Sequence, residues 1–378
     1  MIKNILIIDD SALMRRLMSD IIQSDTRFRV LETANNGQQG YDYLVKYYNE
    51  IDCVLLDINM PIMNGLEFLE LMQKHRIKKN VIVVSTVAKE GAKETIRALE
   101  LGAFDFITKP GSYFEAKSEA FKIKLLHGIE TATQEVSRMT SSTSSIPRTL
   151  SRSIDFATKE TKSLVSNQIV NEPVKVEKKP FVKKKNGSKL IALACSTGGP
   201  KALQKVIPKL PKDLPCSVLV VQHMPEGFTK SLAERLNELS QVTVTEAQDG
   251  DIIEPGHVYI AKGGSQMRIK RVGTNKYALT VTVEDARNGL KPCADILYES
   301  IVNTDIDEIT CVVLTGMGND GTKGIAQLSQ KNNIYVVAQD QESSTVYGMP
   351  KAVWQAGLVD EVVSIEGITE AIVKNVGV

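Results

Sequence analysis

The stretch Leu190-Ile191-Ala192-Leu193-Ala194-Cys195-Ser196-Thr197-Gly198-Gly199-Pro200 decides how the second half of this 378-residue chain folds. Its first five residues are apolar without interruption, which predicts a strand buried on both faces, as in a parallel sheet. Two glycines and a proline then break the strand. After them Leu203, Val206, Ile207 and Leu210 hold the i, i+3, i+4, i+7 spacing of an amphipathic helix, and Pro200 suits its first turn. Ser196 therefore falls between a strand and a helix. The pattern returns twice. The apolar run 218–221 leads into Gln222-His223-Met224-Pro225, and the run 311–314 leads into Thr315-Gly316-Met317-Gly318-Asn319-Asp320-Gly321. A serine, a histidine and an aspartate thus lie at the carboxyl ends of predicted strands. Open parallel α/β sheets put their sites there, and nucleophilic hydrolysis needs these residue types.

Each of the three has a plainer role open to it. Ser196 can cap a helix, His223 can sit in a core, and Asp320 before Gly321 can simply make a turn. Gly198 and Gly199 let the backbone approach a bound group, and a helix start there favours anions. Phosphate and dinucleotide sites share that design, but neither G-x-G-x-x-G nor a Walker lysine is present. The G-x-S-x-G elbow is not matched either, because Ala194 takes the first glycine's place. Cys195 is a rival nucleophile, but neighbouring strand side chains point to opposite faces. Ser196 is therefore the expected one to meet His223. His257 is expected to be structural, and His75 and His127 to be surface helix residues. Trp354 and Tyr347 are expected in the core or the cleft wall.

The first 110 residues repeat the strand–helix alternation. Strand-like runs at 5–8, 30–34, 53–56, 81–84 and 106–108 are separated by helix-period segments. In one of these Leu13, Leu17 and Ile21, and one residue on Met14, Met18 and Ile22, fall four apart. The predicted fold is α/β with a parallel sheet covered on both faces. Asp9 and Asp10 follow the first strand, Asp57 ends the third, Ser85 and Thr86 the fourth, and Lys109 the fifth. Three crowded carboxylates repel each other and want a cation. Oxygen ligands with room for water and phosphate suit Mg²⁺. An aspartate beside such an ion can attack phosphorus, and a facing lysine can pair with the new phosphate.

Between these halves, 139–145 is a Ser/Thr-rich run and 178–187 is basic and broken by Pro and Gly. The expected organisation is a first domain over 1–127, a mostly mobile linker over 128–187 with a helical start, and a second domain over 188–378. A composition of 42% hydrophobic and 24% charged residues suits a globular protein. No apolar run approaches the roughly 18 residues of a membrane span, and the N-terminus turns acidic too soon for a secretory signal. A net charge of +1 leaves no basic footprint for nucleic acid. Five cysteines without a CxxC pair argue against disulfides and zinc. A cytoplasmic protein is expected, without direct membrane insertion.

The acidic and lysine positions of the first half, with Ile58-Asn59-Met60-Pro61 and Gly65, closely resemble the response-regulator receiver family. The resemblance implies a flavodoxin-like (βα)₅ domain with Asp57 as phosphoacceptor. It implies Asp10, Asp57 and the Asn59 carbonyl as Mg²⁺ ligands, with Asp9 acting partly through water. It also implies Ser85 and Lys109 as phosphate contacts and Phe106 as the switch aromatic. The second half, with His223-Met224-Pro225-Glu226-Gly227-Phe228-Thr229 and the run 314–321, closely resembles the catalytic domain of the chemotaxis protein-glutamate methylesterase (CheB) family. That implies a doubly wound, Rossmann-like hydrolase domain without a metal. Ser196 is then the nucleophile, His223 the general base and Asp320 its orienter, with the Met317 region in the oxyanion hole and Thr197 lining the site. The implied substrates are glutamate γ-methyl esters, and glutamines, on methyl-accepting chemotaxis receptors. A chemotaxis histidine kinase is the implied phosphodonor. Two departures stand out: Ala194 in place of glycine, and Lys291-Pro292-Cys293 where the family has Arg-Pro-Ser. A receptor-docking protein without hydrolytic activity is the alternative. A DNA-binding regulator is disfavoured, since no helix-turn-helix signature is present.

Overall fold

The computed structural model describes residues 2–86, 89–111, 115, 118–141, 178–184 and 187–377, with the backbone alone at 89 and 135–141. The first unit comprises β1 (Lys3–Ile8), α1 (Ala12–Gln23), β2 (Phe28–Ala34), α2 (Gly37–Lys46), β3 (Cys53–Asp57), α3 (Gly65–Lys74), β4 (Asn80–Ser85), α4 (Lys89–Glu100), β5 (Asp105–Thr108) and α5 (Glu119–Ser141). Its five strands are parallel in the order β2-β1-β3-β4-β5, so the winding reverses between β1 and β3. β3 and most of β1 and β4 are buried because helices cover both faces. Ser11 starts α1 by accepting the Met14 amide. Of its two apolar stripes, the one through Met18 and Ile22 is buried, while Leu13 is exposed.

The expected boundary at residue 127 runs through α5. Ile129 and Ala132 are buried, and Asn80 Nδ2 donates to the Ala132 carbonyl at 2.7 Å. Much of the expected linker, 142–177, lies outside the described residues. Its end is not free. The Val182 amide donates to Asn333 Oδ1 at 2.9 Å, and Phe181 packs edge-on to Tyr335.

The second unit comprises β6 (Lys189–Cys195), α6 (Gly199–Val206), β7 (Ser217–Gln222), α7 (Phe228–Leu239), β8 (Thr243–Glu246), β9 (His257–Ile260), β10 (Gln266–Gly273), β11 (Lys276–Thr282), α8 (Ala294–Ile301), β12 (Glu308–Val313), α9 (Thr322–Lys331), β13 (Ile334–Gln339), α10 (Met349–Gln355), β14 (Glu361–Val363) and α11 (Ile368–Val376). Seven strands form one parallel sheet in the order β14-β13-β12-β6-β7-β9-β8. The chain winds outward from β6 one way through β7, and later the other way through β12 and β13. The crevice beyond β6 is thus the topological switch point. An antiparallel hairpin, β10–β11, was not expected from the pattern; Asn275, at φ 52°, turns it. Trp354 departs from expectation, being 56% exposed rather than in the core or cleft wall. Tyr347 is half-buried and bridges the Gly316 backbone. All five cysteines are free and buried. Among the described residues, no helix is long and apolar enough to cross a membrane.

Candidate active site

Ser196 follows the last residue of β6, His223 the last of β7, and Asp320 lies in the loop between β12 and α9. Parallel register aligns these strand ends: Cys195 is opposite Gln222, and Ala194 opposite Val313. Backbone bonds then tie the loops together. The Ser196 amide donates to the Thr315 carbonyl at 3.0 Å, and the His223 amide to the Cys195 carbonyl at 3.2 Å. The Ser196 N–H is therefore already committed. Among the described residues the Met317 amide has no acceptor. Gly198 and Gly199 serve close packing of the protein itself. A Cβ on Gly198 (φ +77°) would meet Thr345 at 2.4 Å, and one on Gly199 would meet Gln222 Oε1 at 1.9 Å.

His223 Nε2 lies 2.8 Å from Asp320 Oδ2. Nε2 therefore carries the proton that the carboxylate accepts, and Nδ1 is left as the basic nitrogen. The chymotrypsin arrangement has the two nitrogens the other way round. Ser196 Oγ is not hydrogen-bonded to His223 here. Asp320 is buried and held by five donors. The Ala294 amide joins His223 on Oδ2, while the Cys293 thiol (3.1 Å) and the Asp295 and Gly321 amides (3.0 Å each) donate to Oδ1. Three of these belong to Cys293 and the start of α8, whose dipole favours the anion. Burial pushes the Asp320 carboxyl up, but His223 and the amides outweigh it and bring it to about 2. Sequence reasoning missed the link from Cys293 to Asp320. The signal available was its place beside the Lys291-Pro292 departure. Lys291 itself donates to the Glu284 carbonyl.

Cys195 points the other way, as strand alternation predicts, and its thiol donates to Gln222 Oε1 at 3.1 Å. Burial drives this thiol well up, which disfavours the thiolate form. His257 is structural, stacked on Tyr259 and bonded to Thr245. His75 pairs with Tyr41. His127 is exposed, as expected of a surface helix residue, but it also lines the cavity beside Ser196.

At the other sheet's edge, ligand oxygens of Asp9, Asp10 and Asp57 lie within 4.8 Å of one another. Lys109 Nζ is 2.7 Å from Asp57 Oδ2 and 3.0 Å from Asp9 Oδ2. Asp9 Oδ2 is fully buried and, despite that ion pair, outside hydrogen-bond geometry. Burial pushes the Asp57 carboxyl up, and Lys109 only partly offsets this. An oxygen-rich cluster with an unsatisfied buried oxygen fits a hard divalent cation. Ser85 is buried nearby in the fold and bonds the Gly91 carbonyl. Asn59 is bonded through its side chain to Glu94, which leaves its carbonyl free of that contact.

The two units meet over the Ser196 cleft. Phe106 of β5 packs against Phe228 of α7 with ring centroids 4.6 Å apart and the rings tilted by 33°. Thr197 Oγ1 donates to Asp105 Oδ2 at 2.6 Å. Thr131 Oγ1 reaches Met317 Sδ at 3.8 Å, and Arg235 Nε pairs with Glu100 at 2.7 Å. A cavity of about 340 Å³ between the units is lined by Ser196, Thr197, His223 and Met317 on one side, and Asp105 and Phe106 on the other. A second groove, about 360 Å³ between α4 and α7, is lined mainly by charged residues; its serine, Ser231, is buried and no histidine lines the groove beside it. A serine and a histidine line the first cavity together and not this one.

The CheB methylesterase family model matches residues 191–372, and the response regulator receiver domain model matches 5–117. Proteins named protein-glutamate methylesterase/protein-glutamine glutaminase are similar over nearly the whole chain. One from Halalkalibacterium halodurans is 40% identical over 98% of this chain and 97% of its own, and one from Bacillus subtilis is 39% identical over 97% of each. The solved Thermotoga maritima CheB catalytic domain is 39% identical, covering 50% of this chain and 98% of its own, with a TM-score of 0.48. The Thermotoga maritima CheB response regulator domain is 36% identical, covering 35% and 98%, with a TM-score of 0.31.

Proposed function

The chain belongs to the CheB methylesterase family and carries a response regulator receiver domain, and from that premise we propose that it hydrolyses glutamate γ-methyl esters, and deamidates glutamines, on methyl-accepting chemotaxis receptors when Asp57 is phosphorylated. The observation that carries this reading is the His223–Asp320 pair, fixed by five donors beside Ser196 at the switch point of the sheet.

Nδ1 of His223 takes the proton of Ser196 Oγ as that oxygen attacks the ester carbonyl carbon. The tetrahedral oxyanion draws on the uncommitted Met317 amide, since the Ser196 amide is bonded to Thr315. His223 then returns the proton to the departing oxygen, methanol leaves, and a glutamyl-Ser196 ester remains. Water, deprotonated by His223, attacks that ester; the acyl–Oγ bond breaks, His223 returns the proton to Ser196 Oγ, and the γ-carboxylate is released. Asp320 stabilises the imidazolium in both halves of the cycle. No step calls on a metal in this domain.

In the receiver, Asp57 accepts the phosphoryl group of a chemotaxis histidine kinase. Asp10, Asp57 and the Asn59 carbonyl, with Asp9 partly through water, would hold Mg²⁺, which supplies charge against the phosphoryl oxygens. Lys109, now paired with Asp57 and Asp9, turns to the new phosphate, and Ser85 hydrogen-bonds it. Phe106 moves with them, and its packing against Phe228 links that movement to the cleft. The receiver unit takes in 1–127 and the buried continuation of α5, and the catalytic unit spans 188–378. Docked, the receiver covers Ser196. A shift from 1:99 to 99:1 toward the open form takes roughly 5.5 kcal/mol of differential stabilisation. A protein of this kind works in the cytoplasm, where receptor signalling helices and the kinase lie.

The test is methanol release from methylated receptor membranes, for wild type and Ser196→Ala, each with and without a small phosphodonor and Mg²⁺. Release that rises with phosphodonor and vanishes in Ser196→Ala is expected. No release from folded, phosphorylated wild type would overturn the reading in favour of a docking protein.

A further inference from the structure

Asp105 stands out among the groups that meet across the cleft. It has no basic partner among the described residues, and burial pushes its carboxyl up. One oxygen, Oδ1, is held by the Phe106 amide at 2.8 Å; the other is presented to Thr197 Oγ1 at 2.6 Å. Lys124 and His127 line the same cavity, but neither pairs with Asp105, and a partly buried acid without a cation is costly. A neutral side chain would pack there at less cost, so the carboxylate itself calls for an explanation.

We propose that the Thr197 hydroxyl is the subsite for the γ-carboxyl group of the side chain being processed, and that Asp105 fills this subsite in the resting protein as an internal likeness of the product. The inference rests on the γ-glutamyl reading above and names how the same cleft is held. The product side chain ends in –CH₂–COO⁻, and so does aspartate. Both would enter the cavity that contains Ser196, His223 and Met317. A hydroxyl donor meets a carboxylate oxygen there with the short, charge-assisted geometry of such pairs. β5 also connects this plug to the phosphorylation site. Asp105 begins the strand and Lys109 follows its last residue, four residues or about 13 Å along an extended chain. A change in the partners of Lys109 therefore pulls on the same strand that carries Asp105 and Phe106.

The experiment uses the full-length protein and N-acetyl-L-glutamate as the probe, with methanol release from methylated receptor membranes and calorimetric binding as paired readouts. N-acetyl-L-glutamate inhibits the phosphorylated wild type competitively. Thr197→Val weakens its binding about tenfold or more, the loss of one hydrogen bond to a charged group, and Thr197→Ser restores it. Asp105→Ala, without phosphodonor, releases methanol several-fold faster than wild type and binds N-acetyl-L-glutamate where unphosphorylated wild type does not. The proposal is overturned if Thr197→Val binds the probe as tightly as wild type, or if Asp105→Ala keeps the wild-type resting rate and resting affinity. Thr197-dependent probe binding in a protein that never releases methanol would uphold the subsite and overturn only the esterase reading.

Discussion

Two sheet edges in this protein gather aspartates at the ends of parallel strands, and they treat them in opposite ways. In the catalytic unit Asp320 is fully satisfied: five donors surround it, and its carboxyl is brought down to about 2 in spite of burial. In the receiver, Asp57 is pushed up by burial in spite of Lys109, and Asp9 keeps a buried oxygen outside hydrogen-bond geometry. One edge is complete as it stands and is suited to hold an imidazole still through a reaction cycle. The other is left wanting positive charge, which, in the proposed function, a cation supplies before a phosphoryl group arrives. Rigidity and responsiveness here come from the same fold class, and the number of donors around each carboxylate separates them.

The comparison breaks most sharply at Asp320. Asp320→Asn should lower the methanol-release kcat by roughly 10⁴-fold, as loss of the orienting carboxylate does in a serine triad, with phosphorylation of Asp57 retained. A loss below tenfold would mean that the five-donor pocket is not catalytic.

Next in size is acid stability. The folded Asp320 carboxyl, at about 2, lies below its ordinary value of 3.8. Its contribution is therefore present above about pH 4 and is lost as pH falls toward 2. Linkage sets it at about 2 kcal/mol. Urea unfolding of the catalytic unit between pH 5 and 2.5 should show this decline, and Asp320→Asn should flatten it.

The receiver edge should respond with the opposite sign to the same kind of substitution. Asp9→Asn removes a crowded buried anion while Lys109 keeps Asp57. Without Mg²⁺ it should stabilise the receiver by about 1 kcal/mol, the scale of an unsatisfied buried polar group. Added Mg²⁺ should abolish this gain, because the wild type then acquires its counter-charge. A destabilised Asp9→Asn receiver would show that the cluster is already satisfied.

The smallest effect is expected at Cys293, whose thiol is pushed up to about 12 by burial and so stays a donor. Cys293→Ala leaves Asp320 one donor short, and a more basic carboxylate holds the His223 imidazolium better. The acid limb of kcat/KM against pH should move up by roughly a few tenths of a unit, and Cys293→Ser should move it back.

Local pattern carried much of this molecule. The uninterrupted apolar run 190–194 had to be a doubly buried strand, and Gly198, Gly199 and Pro200 had to end it. The expected strands of both halves are present, and Ser196 and His223 directly follow β6 and β7, whereas Asp320 lies further along, in the loop before α9. That Cys195 turns away from the cleft followed from strand alternation alone. The hairpin β10–β11 was legible in principle, since Met267, Ile269, Tyr277 and Leu279 alternate inward. Its polar outer face hid that pattern.

Sequence by itself determined the strands and helices of the two parallel units and the residue types offered beyond each strand, because periodicity and turn chemistry act over a few neighbouring residues. Tertiary structure alone decided which nitrogen of His223 meets Asp320, that Cys293 and the start of α8 complete the carboxylate pocket, that α5 runs past residue 127, and that Asp105 reaches Thr197. Those outcomes depend on how separately formed surfaces approach each other. Two partners far apart in the chain leave no local period to read, and a hydrogen bond between them exists only once both surfaces are built and docked.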